Sequence, residues 1–593
     1  MTAPVHDVSP RTFRLWLLAV LAVAAVLRAI FPAADPPWAA PVGVVWHDEG
    51  AWVHNARNKA LFGAWTEDAW NPMYIAPVFT GLEYASFKAF GVGVRQARLV
   101  SEVCGLASVW LLALGVARVG GRRAGLIAGG LLATNYVYVM WNRAALMEGP
   151  MVAFMVASWY CYVRAQAQPL WGAGAAAAAL LAFFTKASAA FFVAALALDA
   201  ALTLVHASSA RRSAPLPAHP PTDAEADWPR PLPENPTAAW VVLAALAACG
   251  ALAVLIFVGP NWTDYRFYNW QMSVTRKPSY TMRALIDRVT WFPILHDLFT
   301  RSWFILAVGA TAGLGMLARW RTLLPSERFL LLWLGLGATE LVLHDVGNER
   351  RFIVFIPVLV AVTAIVLGRD HVLVRGFHMS RRRALLALPV VLYAGYVVAG
   401  ALLRLAFLHE VRPNVRLASV VATGLAALIY GTWPRIPRAL ARNPWTPAGA
   451  VGVATLVCMG QVAQFAQWAA GRSYKNYAAS LELGRVLPPG TLVHGKLANG
   501  LSLENRIRPI FVGRGFGNYD DRRRRDDVRY ILTYVAPSVG YESQAGNPII
   551  QDVLTAYPNR RIIMTFDVAE TATGHDRAAL IDKFGGDGRH EQR

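Results

Sequence analysis

The chain has 593 residues, of which 55% are hydrophobic and 16% are charged, and its mean hydropathy is +0.36. This composition excludes an ordinary soluble protein of that length and indicates a polytopic membrane protein. The formal net charge of +20 would suit a nucleic-acid-binding protein, but the basic residues lie mostly in short clusters between apolar segments, where they set membrane orientation. We therefore expect membrane lipid around the chain and no nucleic-acid partner.

The first apolar segment, "RTFRLWLLAVLAVAAVLRAIF", has a basic start and is long enough to cross a bilayer. It lacks the small-residue cleavage site of a secretory signal peptide. The sequence therefore predicts that this segment remains as the first membrane anchor.

Apolar stretches long enough to cross a bilayer recur along the chain, and we count about thirteen at roughly twenty residues each. The chain is thus predicted to be a polytopic α-helical membrane protein. The predicted centres of the spans are Leu21, Val109, Gly130, Phe154, Leu180, Leu196, Leu246, Val308, Leu336, Val360, Leu392, Ala422 and Val453.

The connecting loops indicate the orientation. If the amino terminus is cytoplasmic, basic clusters such as "ARVGGRR", "SSARRS" and "HMSRRR" all fall on the cytoplasmic side, as the positive-inside rule requires. An odd number of spans then places the carboxyl terminus outside. Because the composition is rich in Arg and Ala, we expect a bacterial protein that resides in the inner membrane.

Residues 1–470 are predicted to form the transmembrane domain, with two long outer loops over residues 32–94 and 260–301. Residues 207–237 form a Pro-rich cytoplasmic insert that is predicted to be disordered. The second outer loop interleaves aromatic and basic residues, which suits either a lid over a cavity or an interfacial anchor.

Residues 471–593 are predicted to form a small extracytoplasmic α/β domain, because the apolar spans stop there. Helical "YAASLELGRVLP" precedes four segments with strand character, "TLVHG", "RPIFVG", "VRYILTYV" and "RRIIMTFDV", and a further helix is predicted over "NPIIQDVLTAY". We find no Gly-rich phosphate loop and no metal-ligand spacing in this region. The run "DDRRRRDD" favours a solvated turn over a binding patch, since its charges neutralise each other locally.

An adjacent acid pair, Asp48 and Glu49, follows the first span within "VVWHDEGAWVHNARN". One interpretation is a helix cap, because Asp before a helical run is a good N-cap. The other is a functional site, in which neighbours about 100° apart on a helix take different roles. We then expect Asp48 to face a cavity while Glu49 braces a cation or a backbone group.

Other ionisable residues lie at the predicted outer ends of spans, where each is costly to keep. Each one alone has a structural explanation, such as snorkelling to the headgroups or, for Glu148, pairing with Arg143. Together they would suit an anionic lipid headgroup at one leaflet. The set is Arg98, Arg143, Glu148, Lys186, His344, Asp345, Glu349, Arg350 and Arg351.

The order of these motifs resembles the GT-C superfamily of glycosyltransferases that use lipid-linked sugars, in the bacterial branch similar to protein O-mannosyltransferases and the lipid A aminoarabinose transferase. The matching signals are "HDEGAW" in the first outer loop, the stretch from "FGVGVRQARLV" to "NRAALMEGPMVAF", "FFTKAS", and "NERRFIVFIPVLV". The resemblance covers most of the first 370 residues. It implies a GT-C type fold with an outer carboxyl-terminal domain.

The resemblance further implies an enzyme that moves a hexosyl or pentosyl group from a polyprenyl-phosphate donor to a hydroxyl of a glycan, lipid or protein acceptor. It assigns the presumed base to Asp48, with Glu49 beside it. The leaving phosphate needs no strong general acid, and a carboxylate base contributes about 10²- to 10⁴-fold. Cations for the phosphate would be Lys186, Arg350 and Arg351, with Arg98 or Arg143 bracing the acids.

No cofactor is expected. His47 beside the two acids gives an incomplete divalent metal site, so no metal ligands are assigned. A lipid or sugar transporter is the alternative function, since transporters also combine many spans with intramembrane charges. Transporters tend to show inverted repeats around a midplane site, whereas the charges here collect at the predicted outer leaflet.

Overall fold

The computed structural model describes most of the chain, and the predicted insert over residues 207–237 and the predicted helix "NPIIQDVLTAY" lie largely outside the described residues. The description covers residues 8–585 apart from 38–44, 66–67, 213–233, 273–280, 292–299, 319, 321–322, 345–348, 369–380, 410, 412, 433–446, 513–523, 535–555 and 570–575.

Helices dominate the described residues. The first ten are α1 (Pro10–Ala29), α2 (Val45–Phe62), α3 (Pro72–Ile75), α4 (Pro77–Phe90), α5 (Val94–Gly120), α6 (Arg122–Thr134), α7 (Tyr136–Asn142), α8 (Glu148–Ala165), α9 (Trp171–Thr185) and α10 (Ala190–Arg212). The later ones are α11 (Pro236–Ala253), α12 (Trp262–Trp270), α13 (Met282–Trp291), α14 (Trp303–Ala318), α15 (Pro325–His344), α16 (Phe355–Gly368), α17 (Arg381–Leu403), α18 (Val415–Thr432), α19 (Pro447–Ala470), α20 (Lys475–Val486) and α21 (Lys496–Gly500).

Each of the predicted span centres lies inside one of these helices. By length and composition, seven described helices could cross a membrane, and α6 with α7 gives an eighth if the bent pair is one span. Three shorter apolar helices lie over Trp171–Thr185, Trp303–Leu317 and Val415–Leu428. The two remaining centres, Phe154 and Leu336, lie in α8 and α15. The chain is therefore a multi-pass membrane protein, and the count of about thirteen spans stays a prediction.

The bend of 61° between α6 and α7 lies at Asn135. The Asn135 side chain accepts a hydrogen bond from Tyr138 N at 2.9 Å, and Gln461 Oε1 accepts one from Tyr136 N at 2.8 Å. Side chains thus satisfy backbone groups that the break leaves without helical partners, as an apolar environment requires. The bend lets α7 lead directly into the loop that carries Arg143.

The apolar segment after the first outer acids, "MYIAPVFTGLEYASFKAF", forms the two helices α3 and α4. The break falls at Ala76 because Pro77 has no backbone N–H to continue the first helix. Glu83 and Phe79 of α4 are fully buried. This helix therefore packs into the protein as well as lying beside the acid pair.

A five-stranded sheet follows the last long apolar helix, with β1 (Leu492–His494), β2 (Arg508–Ile510), β3 (Tyr530–Tyr534), β4 (Arg561–Val568) and β5 (Asp576–Asp582) in the order β2-β1-β3-β5-β4. β1 is parallel to β2 and β3, whereas β5 is antiparallel to both β3 and β4. The first four strands confirm the predicted segments. β5 was not predicted, because "DRAALID" has little of the β-branched and aromatic composition of strands.

Arg57 joins α2 to the chain that runs into the sheet. This fully buried side chain donates to the carbonyl oxygens of Ser502 at 3.0 Å, Asn505 at 2.9 Å and Ile507 at 3.1 Å. One rigid guanidinium thus satisfies three carbonyls of a segment remote in sequence. α2 and the carboxyl-terminal region are therefore held as neighbours.

Asp35 makes a second connection. Its carboxylate accepts hydrogen bonds from the Ser473 hydroxyl at 2.6 Å and from the backbone N–H groups of Lys475 at 2.8 Å and Asn476 at 3.2 Å. Burial raises the pKa of Asp35, and these hydrogen bonds act in the opposite direction. The acid thus occupies the amino-terminal end of α20, where the helix dipole favours negative charge.

We predict that Arg57→Met detaches the carboxyl-terminal region from α2. Three buried carbonyl oxygens lose their donor, and each unsatisfied group costs about 1–3 kcal/mol. Thermal unfolding in detergent should shift to lower temperature, and limited proteolysis should release the carboxyl-terminal region faster. Arg95→Met is the matched control because Arg95 is exposed, and equal behaviour of the two variants would contradict the assignment.

Candidate active site

Asp48 lies in the first turn of α2, which begins at Val45, and Glu49 is the next residue of the helix. Asp48 is therefore inside the helix rather than at the N-cap position, although a carboxylate in this turn is still favoured by the helix dipole. The two neighbours diverge as the helical geometry predicts. Asp48 contacts Arg350, whereas Glu49 contacts Arg98.

Glu49 is bound on all sides. Its Oε1 accepts hydrogen bonds from Arg98 Nε at 2.8 Å and from Ala145 N at 2.7 Å, and its Oε2 accepts one from Arg98 Nη2 at 2.8 Å. Arg98 also donates through Nη1 to the carbonyls of Pro32 at 2.9 Å and Ala34 at 2.7 Å. Both side chains are buried, so this bidentate pair fixes three segments to one another.

Gly50 explains why a glycine follows the two acids. A Cβ atom built on it would lie 1.9 Å from the carbonyl oxygen of Asn499 and 2.7 Å from Gly500 N. Only a residue without a side chain permits this approach of two backbones. The start of α2 therefore packs directly against α21.

Asp48 begins a row of four alternating charges. Arg350 Nη1 donates to Asp48 Oδ2 at 2.6 Å, and Arg350 Nε lies 3.2 Å from Glu148 Oε1. Lys186 Nζ donates to the same Glu148 oxygen at 2.6 Å. Glu148 is almost fully buried, while the Asp48 and Arg350 side chains keep 18% and 14% of their surface exposed. Glu148 is therefore the buried member of the row, and both of its ends, Asp48 and Lys186, are partly exposed.

Each member of this row sits at an element boundary. Glu148 is the first residue of α8, and Lys186 is the extended residue between α9 and the 3-10 turn Ala187–Ala189. Arg350 lies in the 3-10 turn Glu349–Val354 that precedes α16. Helices begin or end at these positions. Polar side chains from four different segments, including the start of α2, can therefore converge.

Arg351, the next cation in the turn, is half-buried. Its positive charge and that of Arg350 both repel the charge of Lys186. The following residue, Phe352, is fully buried. His344 ends α15, and Asp345 lies outside the described residues. The structure thus gathers Asp48, Glu148 and three cations, whereas Glu49 and Arg98 form a separate pair beside them.

The hydrogen bonds of Arg143 go to backbone carbonyls and not to Asp48, Glu49 or Glu148. It donates to the carbonyl oxygens of Leu27 at 3.0 Å, Arg28 at 2.6 Å and Phe31 at 2.8 Å, and its guanidinium lies 4.8 Å from the Trp468 ring centroid. The suggested Arg143–Glu148 pair is therefore absent from these described contacts, because Arg143 ties down the end of α1. Glu148 pairs with Lys186 and Arg350 instead.

Glu83 was not singled out from the sequence. It is fully buried on α4, and within the described part of the chain neither carboxyl oxygen has a hydrogen-bond partner. Burial raises the pKa of Glu83 well above its usual range, and the charge of Glu49 acts in the same direction. Both effects favour the neutral form of Glu83.

Among the described residues, no group of three or more His, Cys, Asp or Glu side chains is arranged to hold a metal ion. The side chain of His47 lies outside those whose placement is described.

We predict that Glu49 is structural. Glu49→Met leaves the buried Arg98 guanidinium without its carboxylate, a change that typically costs about 3–5 kcal/mol. The double variant Glu49→Met, Arg98→Met removes both charges and should unfold at a higher temperature than Glu49→Met alone. Thermal unfolding of the three proteins in one detergent is the measurement, and a double variant no more stable than the single one would refute the assignment.

Part of this chain is similar to a known protein family. Residues 75–217 match the model of the family described as dolichyl-phosphate-mannose-protein mannosyltransferase. The matched segment contains Arg98, Arg143, Glu148 and Lys186 but not Asp48. No curated protein matches the chain.

Two solved structures are similar in arrangement. The crystal structure of ArnT from Cupriavidus metallidurans bound to undecaprenyl phosphate is 16% identical with a TM-score of 0.47, over 97% of this chain and 98% of that one. Archaeal oligosaccharyltransferase AglB from Archaeoglobus fulgidus, in complex with an inhibitory peptide and a dolichol-phosphate, is 13% identical with a TM-score of 0.43, over 90% and 70%. The family match over residues 75–217 confirms the predicted resemblance of this chain to the GT-C superfamily of glycosyltransferases.

Proposed function

We propose that the protein moves a sugar from a polyprenyl-phosphate donor to an acceptor hydroxyl on the extracytoplasmic side of a bacterial inner membrane. The observation that carries this proposal is the row Asp48, Arg350, Glu148, Lys186, in which each charge contacts one of opposite sign. A partly exposed carboxylate at one end supplies a base. The adjacent cations supply a site for phosphate.

The reaction is an inverting displacement. The acceptor oxygen attacks the anomeric carbon, the bond from that carbon to the phosphate oxygen breaks, and the hydroxyl proton passes to Asp48. Polyprenyl phosphate leaves with the electron pair of the broken bond. Because phosphate is already a good leaving group, the arrangement differs from the acid and base pair of an inverting glycosidase.

Arg350 has two tasks in this mechanism. Its contact with Asp48 favours the ionised carboxylate, which is the form that accepts a proton. With Lys186 and Arg351 it also balances the charge that develops on the departing phosphate. Glu148 keeps Lys186 and Arg350 in position, so the cations are fixed before the donor arrives.

Two observations support the class of donor and the side of the membrane. The matching family is named for a dolichyl-phosphate sugar, which is a polyprenyl-phosphate donor. α2 carries Asp48 at one end and Arg57, which binds the carboxyl-terminal region, nearer the other. The base and that region therefore share one side of the membrane, and the positive-inside rule favours the outer side.

The second outer loop packs on the first. Tyr268 stacks on Tyr74 with ring centroids 5.7 Å apart and donates from its hydroxyl to the Asp68 carbonyl at 2.8 Å. Asn269 donates to the Tyr74 carbonyl at 2.9 Å. These contacts hold α12 against the first outer loop, and its aromatic residues suit the depth of the lipid headgroups.

A lipid or sugar transporter is the alternative function. A transporter would not need a base, so neutralising one carboxylate while keeping its hydrogen-bonding shape should spare transport. The first experiment below separates these two functions.

We predict that Asp48→Asn abolishes transfer and leaves folding and donor binding intact, because the amide keeps the shape of the side chain but accepts no proton. The expected loss in turnover is about 10²- to 10⁴-fold. The measurement is the amount of lipid-linked sugar that accumulates in cells carrying the variant, which also identifies the donor sugar. Asp567→Asn, at an exposed site on β4, is the control, and near-normal turnover by Asp48→Asn would remove Asp48 from the mechanism.

Lys186→Met should weaken the handling of the donor phosphate. Because Lys186 lies three contacts from Asp48 along the row, we expect a rise in KM for the donor and a fall in kcat, whereas Lys186→Arg should retain part of the activity. The measurement is steady-state transfer in detergent with a purified polyprenyl-phosphate sugar. Lys88→Met, at an exposed position of α4, should be unchanged, and an unaltered KM and kcat in Lys186→Met would exclude the phosphate role.

A further inference from the structure

A second concave site lies away from the acid row. A cavity of about 300 Å³ separates the end of α2 and the turn after it from the edge of the five-stranded sheet. The first outer loop contributes Asn58, Phe62, Trp65 and Asp68, and the carboxyl-terminal region contributes Arg508 and Arg525 among others. Asp48 lies fourteen residues before Phe62 on the same helix, which is about 21 Å at 1.5 Å per residue.

The floor of this cavity is a carboxylate held in place by the protein. Asp68 Oδ1 accepts a hydrogen bond from Trp70 N at 2.8 Å, and Asp68 Oδ2 lies 3.1 Å from His54 Nε2. Amide nitrogens of Asn58 and Asn499 lie 3.3 and 3.0 Å from His54 Nδ1. Because amide groups donate there, Nδ1 is the acceptor and Nε2 carries the hydrogen that points to Asp68. Asp68 is therefore a rigid hydrogen-bond acceptor that lines the cavity before any ligand binds.

One wall is aromatic. The Arg508 guanidinium lies 4.5 Å from the ring centroid of Phe62, so a flat cation covers a flat ring. Trp65 is half-buried, with Tyr84 at 5.5 Å and Lys59 Nζ at 5.8 Å from its ring. Rigid rings beside hydrogen-bonding groups suit a ligand with an apolar face and a polar rim, which describes a sugar ring.

Two guanidinium groups also line the cavity. Arg508 is exposed on β2, the edge strand of the sheet. Arg525 approaches from the segment before β3 and is oriented by two hydrogen bonds to Asp527, at 2.7 and 2.6 Å. Guanidinium groups match carboxylate and phosphate oxygens through paired hydrogen bonds. Arg525 is already paired with Asp527, whereas the described contacts of Arg508 include no carboxylate, so Arg508 is the cation that favours an acidic group on the ligand.

We propose that this cavity binds an acidic saccharide, one that carries a carboxylate or a phosphate group. The ring of the sugar stacks on Trp65, its hydroxyls donate to Asp68, and its acidic group binds Arg508. Assigning this sugar to the acceptor rests on the proposed function, and α2 then connects the acceptor site to Asp48. A ligand that reaches both places is an extended one rather than a single sugar.

The test is a binding measurement on the full-length protein in detergent, by isothermal titration calorimetry. The probes are tetragalacturonate and mannose 6-phosphate as acidic sugars and maltotetraose as a neutral sugar. At least one acidic probe should bind about tenfold more tightly than maltotetraose, and Arg508→Gln should remove about that factor, the usual worth of one hydrogen bond to a charged group. Trp65→Ala should weaken the same probe.

Two controls make the outcome specific. Arg506→Gln removes an exposed cation two residues from Arg508 that does not line the cavity, and it should leave binding unchanged. Asp48→Asn should also bind the acidic probe normally, so loss of transfer and loss of this site are separate results. Unfolding temperatures of all variants exclude misfolding. Binding of neither acidic probe at millimolar concentration, equal binding of maltotetraose, or an equal loss in Arg506→Gln would overturn the proposal.

Discussion

The buried pair of Glu49 and Arg98 is the interaction on which the geometry of the site depends. Glu49 contacts α5 through Arg98 and the loop before α8 through Ala145, and Arg98 in turn binds the carbonyls that follow α1. One carboxylate therefore holds three parts of the helical core in fixed positions relative to one another. Because Asp48 is the preceding residue on the same helical turn, fixing Glu49 also fixes the direction of Asp48.

The charges in this region are arranged so that few of them remain uncompensated. A single ionised group in an apolar interior is costly, whereas a row of alternating signs offsets much of the desolvation. The row from Asp48 to Lys186 has this form, and Glu148 is its almost fully buried member. A polyprenyl phosphate placed beside Lys186, Arg350 and Arg351 would add negative charge where the cations are in excess.

The sequence predicted much of the fold and of the candidate site, and the features that it missed have physical reasons. Helix positions follow from long apolar stretches, and four strands follow from alternating or clustered β-forming residues. The divergence of Asp48 and Glu49 follows from helical periodicity alone. The partner of Glu148 could not be predicted, since Arg143 is near in sequence but binds carbonyls, while Lys186 and Arg350 are remote. β5 escaped because pairing on both sides, not its composition, makes it a strand.

The sequence did not reveal the cavity at the end of α2, because the residues that line it come from segments remote in sequence. Asp68 and Trp65 fall in a polar loop, and Arg508 falls in a short strand, so neither stretch carries a motif. His54 links Asp68 to Asn58 of α2 and Asn499 of α21, while Arg508 contacts Phe62 of α2. Contacts between segments at opposite ends of a chain leave no local pattern to read.

The close approach of Gly50 to Asn499 has a consequence for biogenesis. The contacts of α2 with the carboxyl-terminal region join positions as far apart as 450 residues, as between Arg57 and Ile507. During synthesis, the ribosome completes nearly all the membrane spans before the carboxyl-terminal partners of α2 exist. The helix that carries Asp48 can therefore meet Arg98, Glu148 and Arg350 first, and it gains its contacts with α21 among the last steps of maturation.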